Sequence, residues 1–457
     1  MTYDLIVLGG GPAGYLAGER AGHAGLNTMV IEKEHLGGVC LNEGCIPSKA
    51  LLYCAKAYDY AKRGEHYGVH AENVTLDHQY VVARKDRVVK TLVSGIRGAL
   101  KANKVTVVEG EARINGRAED GYRVEVNGET HIARRLLIAT GSMPVVPPIP
   151  GVKEGVAAGF VLTNKEILSL PAVPEKLVII GGGVIGLEMA SYFCSVGSKV
   201  TVVEMMDKIA GPTDKEISSI LLKNYQSKGV EFCLGCKVVE VTKDAVVYEK
   251  DGQKNSVSAD KVLLSIGRRA NTAGLGLETI GVEMNRGAVK VDRYCRTNIP
   301  NVYAAGDVNG TSMLAHTAYR ESEVAINNML GKKDVMRYRA IPSVIYTNPE
   351  VGCVGETEES AKAKGIETEC VTLTMKYSGR YVAETEGGIG DGICKMIMDK
   401  KHRNIIGVHM IANYASEIIY GAAMMVETEM TVDELKEIVF PHPTVCEILR
   451  EGLFQFK

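Results

Sequence analysis

No apolar run in this sequence approaches the roughly 18 residues that a membrane-spanning helix needs. Charge of neither sign is in surplus: 53 Lys and Arg stand against 55 Asp and Glu, giving a net charge of −2 and a pI near 6.6. That balance leaves no electrostatic footprint for nucleic acid or an anionic membrane. No basic segment precedes the first apolar stretch, because "MTYDLIVLGGGPAG" runs straight into glycines. The N-terminus therefore reads as a first strand and not as a signal peptide. Cysteine is too sparse for a secreted disulfide scaffold, with 11 residues, an odd number, spread over 457. The expectation is a cytoplasmic protein whose thiols are mostly free and buried. What remains is ordinary globular composition, 46% hydrophobic and 24% charged, in a chain long enough for two to four domains.

Against that background one phrase occurs twice. "LIVLGGGPAG" at 5–14 and "LVIIGGGVIG" at 177–186 are each an apolar strand followed by G-x-G-x-x-G. The glycines are Gly9, Gly11 and Gly14, then Gly181, Gly183 and Gly186, offset by 172 residues. Each copy continues to a second apolar strand ending in an acid, Glu32 or Glu204, 18 residues beyond the third glycine. Every part has work in a dinucleotide site. The first glycine makes the strand-to-helix turn, the second admits a pyrophosphate to the backbone, and the third lets helix and strand close up. The helix start supplies N–H groups and positive dipole, and the acid accepts hydrogen bonds from ribose hydroxyls. One such motif is weak. Two copies, each with its acid in place, indicate two dinucleotide sites. Glu204 repels a 2′-phosphate, and Met205, Met206 and Asp207 after it offer no arginine, so the second site should prefer NAD to NADP. Two further strands end in glycine turns, "RRLLIATG" with Thr140 and Gly141, and "NVYAAGD" with Asp307. The proline-rich "MPVVPPIPG" reads as a linker between the two glycine folds.

The stretch "GGVCLNEGCIPSKALL" holds Cys40 and Cys45 with four residues between them. Zinc would need a second ligand pair, and none lies nearby apart from Cys54. Cys233 and Cys236 lie far along the chain in a strand-rich segment and read as strand thiols, so no metal site is expected. A bond across so short a loop gains little chain-entropy stabilisation and needs a distorted turn, which Gly44 and Pro47 permit. A redox-active disulfide is the reading that survives, with Cys45 at the start of the following helix, where a thiolate is favoured. Near the C-terminus, "VFPHPTVCEILREG" places His442 between two prolines and Glu447 five residues on, a spacing that lets a carboxylate orient an imidazole.

These motifs, in order with "GGGVIGLEMASYF", "SIGRRANT", "MLAHTAYRE", "IPSVIYTNPEVGCVGETE" and "HPTVCE", resemble the pyridine nucleotide–disulfide oxidoreductases over essentially the whole chain. The resemblance implies an α/β fold with two Rossmann-like domains, for FAD and NAD, and a C-terminal α+β dimerisation domain. The expected segments are 1–142 for FAD, 143–270 for NAD, 271–336 returning to the FAD side, and 337–457 for the interface. It implies that Gly9, Gly11, Gly14, Glu32, Thr140, Gly141 and Asp307 contact FAD, and that Gly181, Gly183, Gly186, Glu204 and Gly267 contact NAD. Cys45 would lie against the flavin and give the thiolate charge-transfer species, and Cys40 would exchange with substrate. Lys49 would lie near flavin N5, paired with Glu188. His442, oriented by Glu447, would be the base, contributed across a homodimer. The implied reaction is oxidation of protein-bound dihydrolipoamide with NAD+ as acceptor. The implied partners are lipoyl-bearing proteins of 2-oxoacid dehydrogenase or glycine-cleavage systems, with neither nucleic acid nor membrane involved.

Two other readings are weighed. One is another NADH-dependent disulfide reductase of the same fold, and Glu204 counts against a glutathione-type, NADPH-preferring enzyme. The other is a mainly structural FAD-binding subunit of a multienzyme complex, against which the intact Cys40, Cys45, His442 and Glu447 set stands. The "EGLFQFK" end carries no extra cysteine pair, which argues against mercuric-reductase and large thioredoxin-reductase types. The chain departs from the lipoamide pattern at Pro441 and Cys446, which flank the base, and at Ala270, where proline is common.

Overall fold

A computed structural model of the chain describes residues 2–385 and 392–457. The chain divides into two compact units, Met1–Ala50 with Tyr80–Val145 and Gly267–Arg337, and Leu51–Gln79 with Val146–Ile266 and Tyr338–Lys457.

The first unit is built on a parallel five-stranded sheet. Its order is Val302–Ala304, Leu136–Ile138, Leu5–Leu8, Thr28–Glu32, Thr106–Glu109. Strands buried on both faces read as continuous apolar runs, and Leu5, Ile6, Val7 and Leu8 are all fully buried. Each such side chain contributes about 1.5–3 kcal/mol of burial. The strand Leu5–Leu8 is flanked by Thr28–Glu32 on one side and Leu136–Ile138 on the other, so the strand order reverses at it. Such a switch point opens a crevice at the carboxyl ends of the strands, where ligands bind in α/β sheets. A second sheet, Thr2–Tyr3, Glu129–Ala133, Gly121–Val126 and Arg113–Ala118, shares an apolar core with the first through Ile114, Val124, Ile6 and Leu136.

The second unit repeats this plan. Its parallel sheet runs Val161–Leu162, Lys261–Leu264, Lys176–Ile180, Lys199–Glu204, Glu231–Leu234, with the glycine-bearing strand again at the reversal. A three-stranded antiparallel sheet, Lys237–Val241, Ala245–Lys250 and Gln253–Ser258, packs with it through Val238, Val246 and Val262. The C-terminal part is an antiparallel sheet, Ser343–Ile345, Glu350–Gly355, Ile405–Ala412, Ile393–Asp399, Thr368–Thr374. Ile418, Ile419 and Ala422 of the helix Ala415–Thr428 belong to its core. The sequence expectation of two α/β glycine folds and a C-terminal α+β part is thus realised.

Within the second unit, the buried Lys395 of this sheet reaches Asp214, which caps the helix Lys215–Ser227. Lys395 Nζ is 3.1 Å from Asp214 Oδ2 and also pairs with Glu358. Burial alone would raise the Asp214 carboxyl, but the ammonium and the helix N–H groups outweigh it and hold the carboxyl below its ordinary value. No helix among the described residues is long and apolar enough to cross a membrane.

Candidate active site

The two glycine motifs share their local geometry. The helices they open, Pro12–His23 and Val184–Ser195, have 12 residues each. Gly9 and Gly181 have φ of 104° and 105°, a region that side-chain-bearing residues avoid. A Cβ on Gly14 would lie 1.8 Å from the Gly9 carbonyl oxygen, and one on Gly186 2.3 Å from that of Gly181. Neither helix has a side-chain cap, so its first N–H groups face the crevice without one. Glu32 accepts the N–H of Gly10 at 2.7 Å and that of Glu34 at 2.7 Å. Glu204 does the same with Gly182 at 2.5 Å and Met206 at 2.8 Å. Each carboxylate is therefore fixed before any ribose arrives, with lone pairs left over.

The cysteine pair is delivered to the first of these turns by backbone contact. Gly37 N–H donates to the Gly10 carbonyl at 2.8 Å. A Cβ on Gly38 would fall 2.6 Å from Gly11 Cα, and Gly37 and Gly38 both hold positive φ, 98° and 58°, which is why two glycines precede the cysteine segment. Cys40 lies in the short helix Gly38–Asn42, the chain breaks at Glu43 and Gly44, and Cys45 opens the helix Cys45–Lys62. That break brings the two thiols together, and they hydrogen-bond in the dithiol form. The bond to Cys45, then burial, push the Cys40 thiol far above its ordinary value, while the Lys49 ammonium pulls the other way. Lys49 is one helical turn from Cys45, on the same face.

Around the pair, the structure adds residues that sequence reasoning missed. Tyr15 and Tyr319 share a hydrogen bond of 2.5 Å, with their rings edge to face. Burial raises both phenols, and the thiol charges of Cys40 and Cys45 raise them further. Asp307 accepts from Ser142 Oγ at 2.5 Å, and Arg268 grips Ser142 through Oγ and its carbonyl, both at 2.8 Å. Fully buried Glu321 accepts the Gly306 N–H at 2.6 Å and braces the turn that carries Asp307. Thr140 Oγ1 donates to the Asn271 carbonyl at 2.7 Å, and Gly141 has φ of 68°. Gly267 falls in the first unit, where its carbonyl accepts the Val145 N–H.

In the second unit, Glu188 is buried in the helix Val184–Ser195 and accepts the Tyr346 N–H at 3.1 Å. Glu447 begins the helix Glu447–Leu453. Its Oε1 lies 2.8 Å from His442 Nδ1, and its Oε2 accepts the Thr444 N–H at 2.8 Å. The Thr444 N–H first, and His442 second, hold the Glu447 carboxyl below its ordinary value. A carboxylate only accepts, so Nδ1 carries the hydrogen and Nε2 is left as the basic lone pair. The imidazole is 79% exposed, above a largely covered Glu447. Cys446 lies beside it, Sγ 3.0 Å from Thr444 Oγ1.

Residues 3–322 match the family Pyridine nucleotide-disulphide oxidoreductase, and residues 341–452 match its dimerisation domain. The chain belongs to the pyridine nucleotide–disulphide oxidoreductases. Relatives of this oxidoreductase include the dihydrolipoyl dehydrogenase of Mycoplasma pneumoniae, 40% identical over 99% of this chain and 98% of that one. The dihydrolipoyl dehydrogenase of Geobacillus stearothermophilus is 39% identical over 98% and 95%. Similar solved structures include LpdA from Mycobacterium tuberculosis, with a TM-score of 0.88, 27% identity and 99% of both chains covered. Another is the HOCl-induced flavoprotein disulfide reductase RclA from Escherichia coli, with a TM-score of 0.87, 27% identity and 100% of both chains covered. The protein is therefore a flavoprotein disulfide oxidoreductase. Its family binds FAD and NAD(P), and the two uncapped helix starts, glycine turns and pre-fixed acids fit two dinucleotides.

Proposed function

We propose that the chain is a dihydrolipoyl dehydrogenase, oxidising protein-bound dihydrolipoamide with NAD+ as acceptor. The observation that carries the reading is the hydrogen-bonded Cys40–Cys45 pair, tied by Gly37 and Gly38 to the first glycine turn. Full-length relatives of that name support it, and Glu204 favours NAD over NADP. Gly9, Gly11, Gly14, Glu32, Thr140, Gly141 and Asp307 are assigned to FAD. Gly181, Gly183, Gly186, Glu204 and Gly267 are assigned to NAD. The four-segment division is kept as a proposal alongside these assignments.

In the oxidised enzyme Cys40 and Cys45 form a disulfide. His442 Nε2 takes a proton from one substrate thiol, the base being supplied by the second chain of a homodimer. The substrate thiolate attacks Cys40 Sγ, a mixed disulfide forms, and Cys45 leaves as thiolate. The second substrate thiol then attacks the substrate sulfur, closes the cyclic disulfide and releases Cys40, which takes the proton. The two electrons of the substrate now reside on the cysteine pair. Lys49, one helical turn from Cys45 and assigned with Glu188 to the flavin side, would offset a negative charge on Cys45. FAD, held by the residues assigned to it around Gly9, Glu32 and Asp307, would supply a two-electron acceptor for the cysteine pair and hydride chemistry toward NAD+.

A second reading, another NADH-dependent disulfide reductase of this fold, is favoured by the likeness to RclA and by Pro441 and Cys446 beside the base. Anaerobic titration of the purified flavoprotein with dihydrolipoamide separates the two. A long-wavelength absorption band, with NADH formed on adding NAD+, supports the dehydrogenase. Bleaching by NADH with no response to the dithiol overturns it.

A further inference from the structure

We propose that Met205 and Met206 are a methionine-oxidation site through which peroxide weakens NAD use. The inference rests on the assignment of NAD to the second glycine fold. Both side chains are exposed, at 64% and 57%, directly after the ribose-type acid Glu204. Their backbone is not loose. The Met206 N–H donates to Glu204 Oε1 at 2.8 Å, and its carbonyl accepts the Gly235 N–H at 2.9 Å. The loop is thus pinned on both sides of Met206 while two adjacent thioethers project from it.

The first glycine fold provides an internal contrast. There the corresponding residues are Lys33 and Glu34, and the Glu34 N–H makes the same bond to Glu32. Lys33 is paired with Glu111 at 2.7 Å. The backbone device is common to both folds, but in the second it carries two large apolar sulfur side chains at a polar, solvent-facing rim. An adenosine whose ribose is held by Glu204 lies within reach of the residues that follow. Two thioethers there present an adaptable apolar surface to it.

Exposed methionine is readily oxidised, and the product is polar, chiral and reducible by methionine sulfoxide reductases. The sulfur lone pair attacks the terminal oxygen of hydrogen peroxide, an S–O bond forms and the O–O bond breaks. The departing hydroxide takes the remaining proton and leaves as water. Sulfur is oxidised by two electrons and peroxide is reduced. The new oxygen is an acceptor on a residue that follows Glu204, whose carboxylate is itself acceptor-only. It faces the adenosine with a dipole where an apolar surface was.

The test uses FAD-loaded enzyme with the cysteine pair oxidised, treated with graded hydrogen peroxide. Trypsin releases both methionines in one peptide, "VTVVEMMDK", residues 200–208, whose mass reports oxygen uptake. The expected result is a gain of one or two oxygens in that peptide ahead of the buried Met396, Met398 and Met410. The NAD+ KM should rise on the order of fivefold, the loss of roughly one ordinary contact, and flavin reduction by the dithiol should not change. Methionine sulfoxide reductases A and B should reverse the rise, and NAD+ present during treatment should protect. The Met205→Leu/Met206→Leu protein, whatever its starting KM, should show no further rise. An oxidised peptide with an unaltered KM overturns the inference, as does an equal rise in the double variant. Untreated enzyme that saturates with NADP+ and not with NAD+ overturns the nucleotide assignment itself.

Discussion

Replacing Glu447 by glutamine alters little but one terminal atom, yet it should disable the base. The carboxylate makes two bonds at once, one to His442 Nδ1 and one to the Thr444 N–H, both at 2.8 Å. Both partners donate. A glutamine has one accepting oxygen and one donating nitrogen. If its oxygen keeps Thr444, its NH2 faces Nδ1 and the ring hydrogen moves to Nε2, the atom that must receive the substrate proton. If the amide turns over, His442 keeps its tautomer but two donors oppose each other at Thr444. An unmet donor costs about 1–3 kcal/mol, and the exposure of His442 favours the lower half of that range. One to two kcal/mol corresponds to a loss of roughly 5–30-fold. The assay is kcat for dihydrolipoamide oxidation beside NADH–dye activity, which needs the two dinucleotides but no dithiol base. Dithiol turnover should fall by that factor and dye reduction should hold. Dithiol turnover within about twofold of wild type would refute the argument, since Glu447 would then not set the tautomer. Equal loss in both assays would show damage to the fold.

Other outcomes follow from the same geometry. Cys40→Ser should abolish dithiol turnover and retain NADH–dye activity, and persistent dithiol turnover would remove Cys40 from the exchange. Gly14→Ala forces a Cβ to 1.8 Å from the Gly9 oxygen and should yield colourless protein. Gly186→Ala should stay yellow but raise the NAD+ KM by roughly tenfold or more. Loss of colour in both would contradict the separation of the two sites. Lys395→Met leaves Asp214 buried without its cation and should cost about 3–5 kcal/mol in denaturant unfolding. Because the Asp214 carboxyl is held below its ordinary value, its contribution is present at neutral pH and lost as pH falls below about 4. The variant keeps only the helix N–H bonds to Asp214 and should lose less on acidification, so matching acid profiles for the two proteins would rule the ion cluster out as its source.

Much of this was legible in the chain because the chemistry is local. A glycine turn, its helix and its acid occupy fewer than about 30 residues, the span of one βαβ unit. The His442–Glu447 and Cys40–Cys45 pairs likewise lie within one turn or helix start. Within the proline-rich stretch the chain passes from the first unit to the second, at Val145 and Val146. What escaped is long-range. Tyr15 and Tyr319 are 304 residues apart, Ser142 and Asp307 165, and Lys395 and Asp214 181. Periodicity identifies which face of an element is buried, but not which distant hydroxyl or ammonium will meet it. Gly267 shows the same limit. Its motif was legible, yet its place in the first unit depends on strand pairing between Arg268–Ala270 and Ser142–Pro144.

The duplicated grip has a kinetic corollary. Glu32 and Glu204 hold their neighbours through the same two N–H groups, above turns with φ values one degree apart. Under the proposed assignments, one copy retains a prosthetic group through every turnover and the other releases its nucleotide each time. A shared frame cannot produce such different residence times. The difference must be encoded beyond the turn, in the Asp307, Ser142 and Arg268 contacts on one side and the open methionine rim on the other. Grafting side chains between the two rims, with the glycines untouched, would convert a tenant into a resident or the reverse.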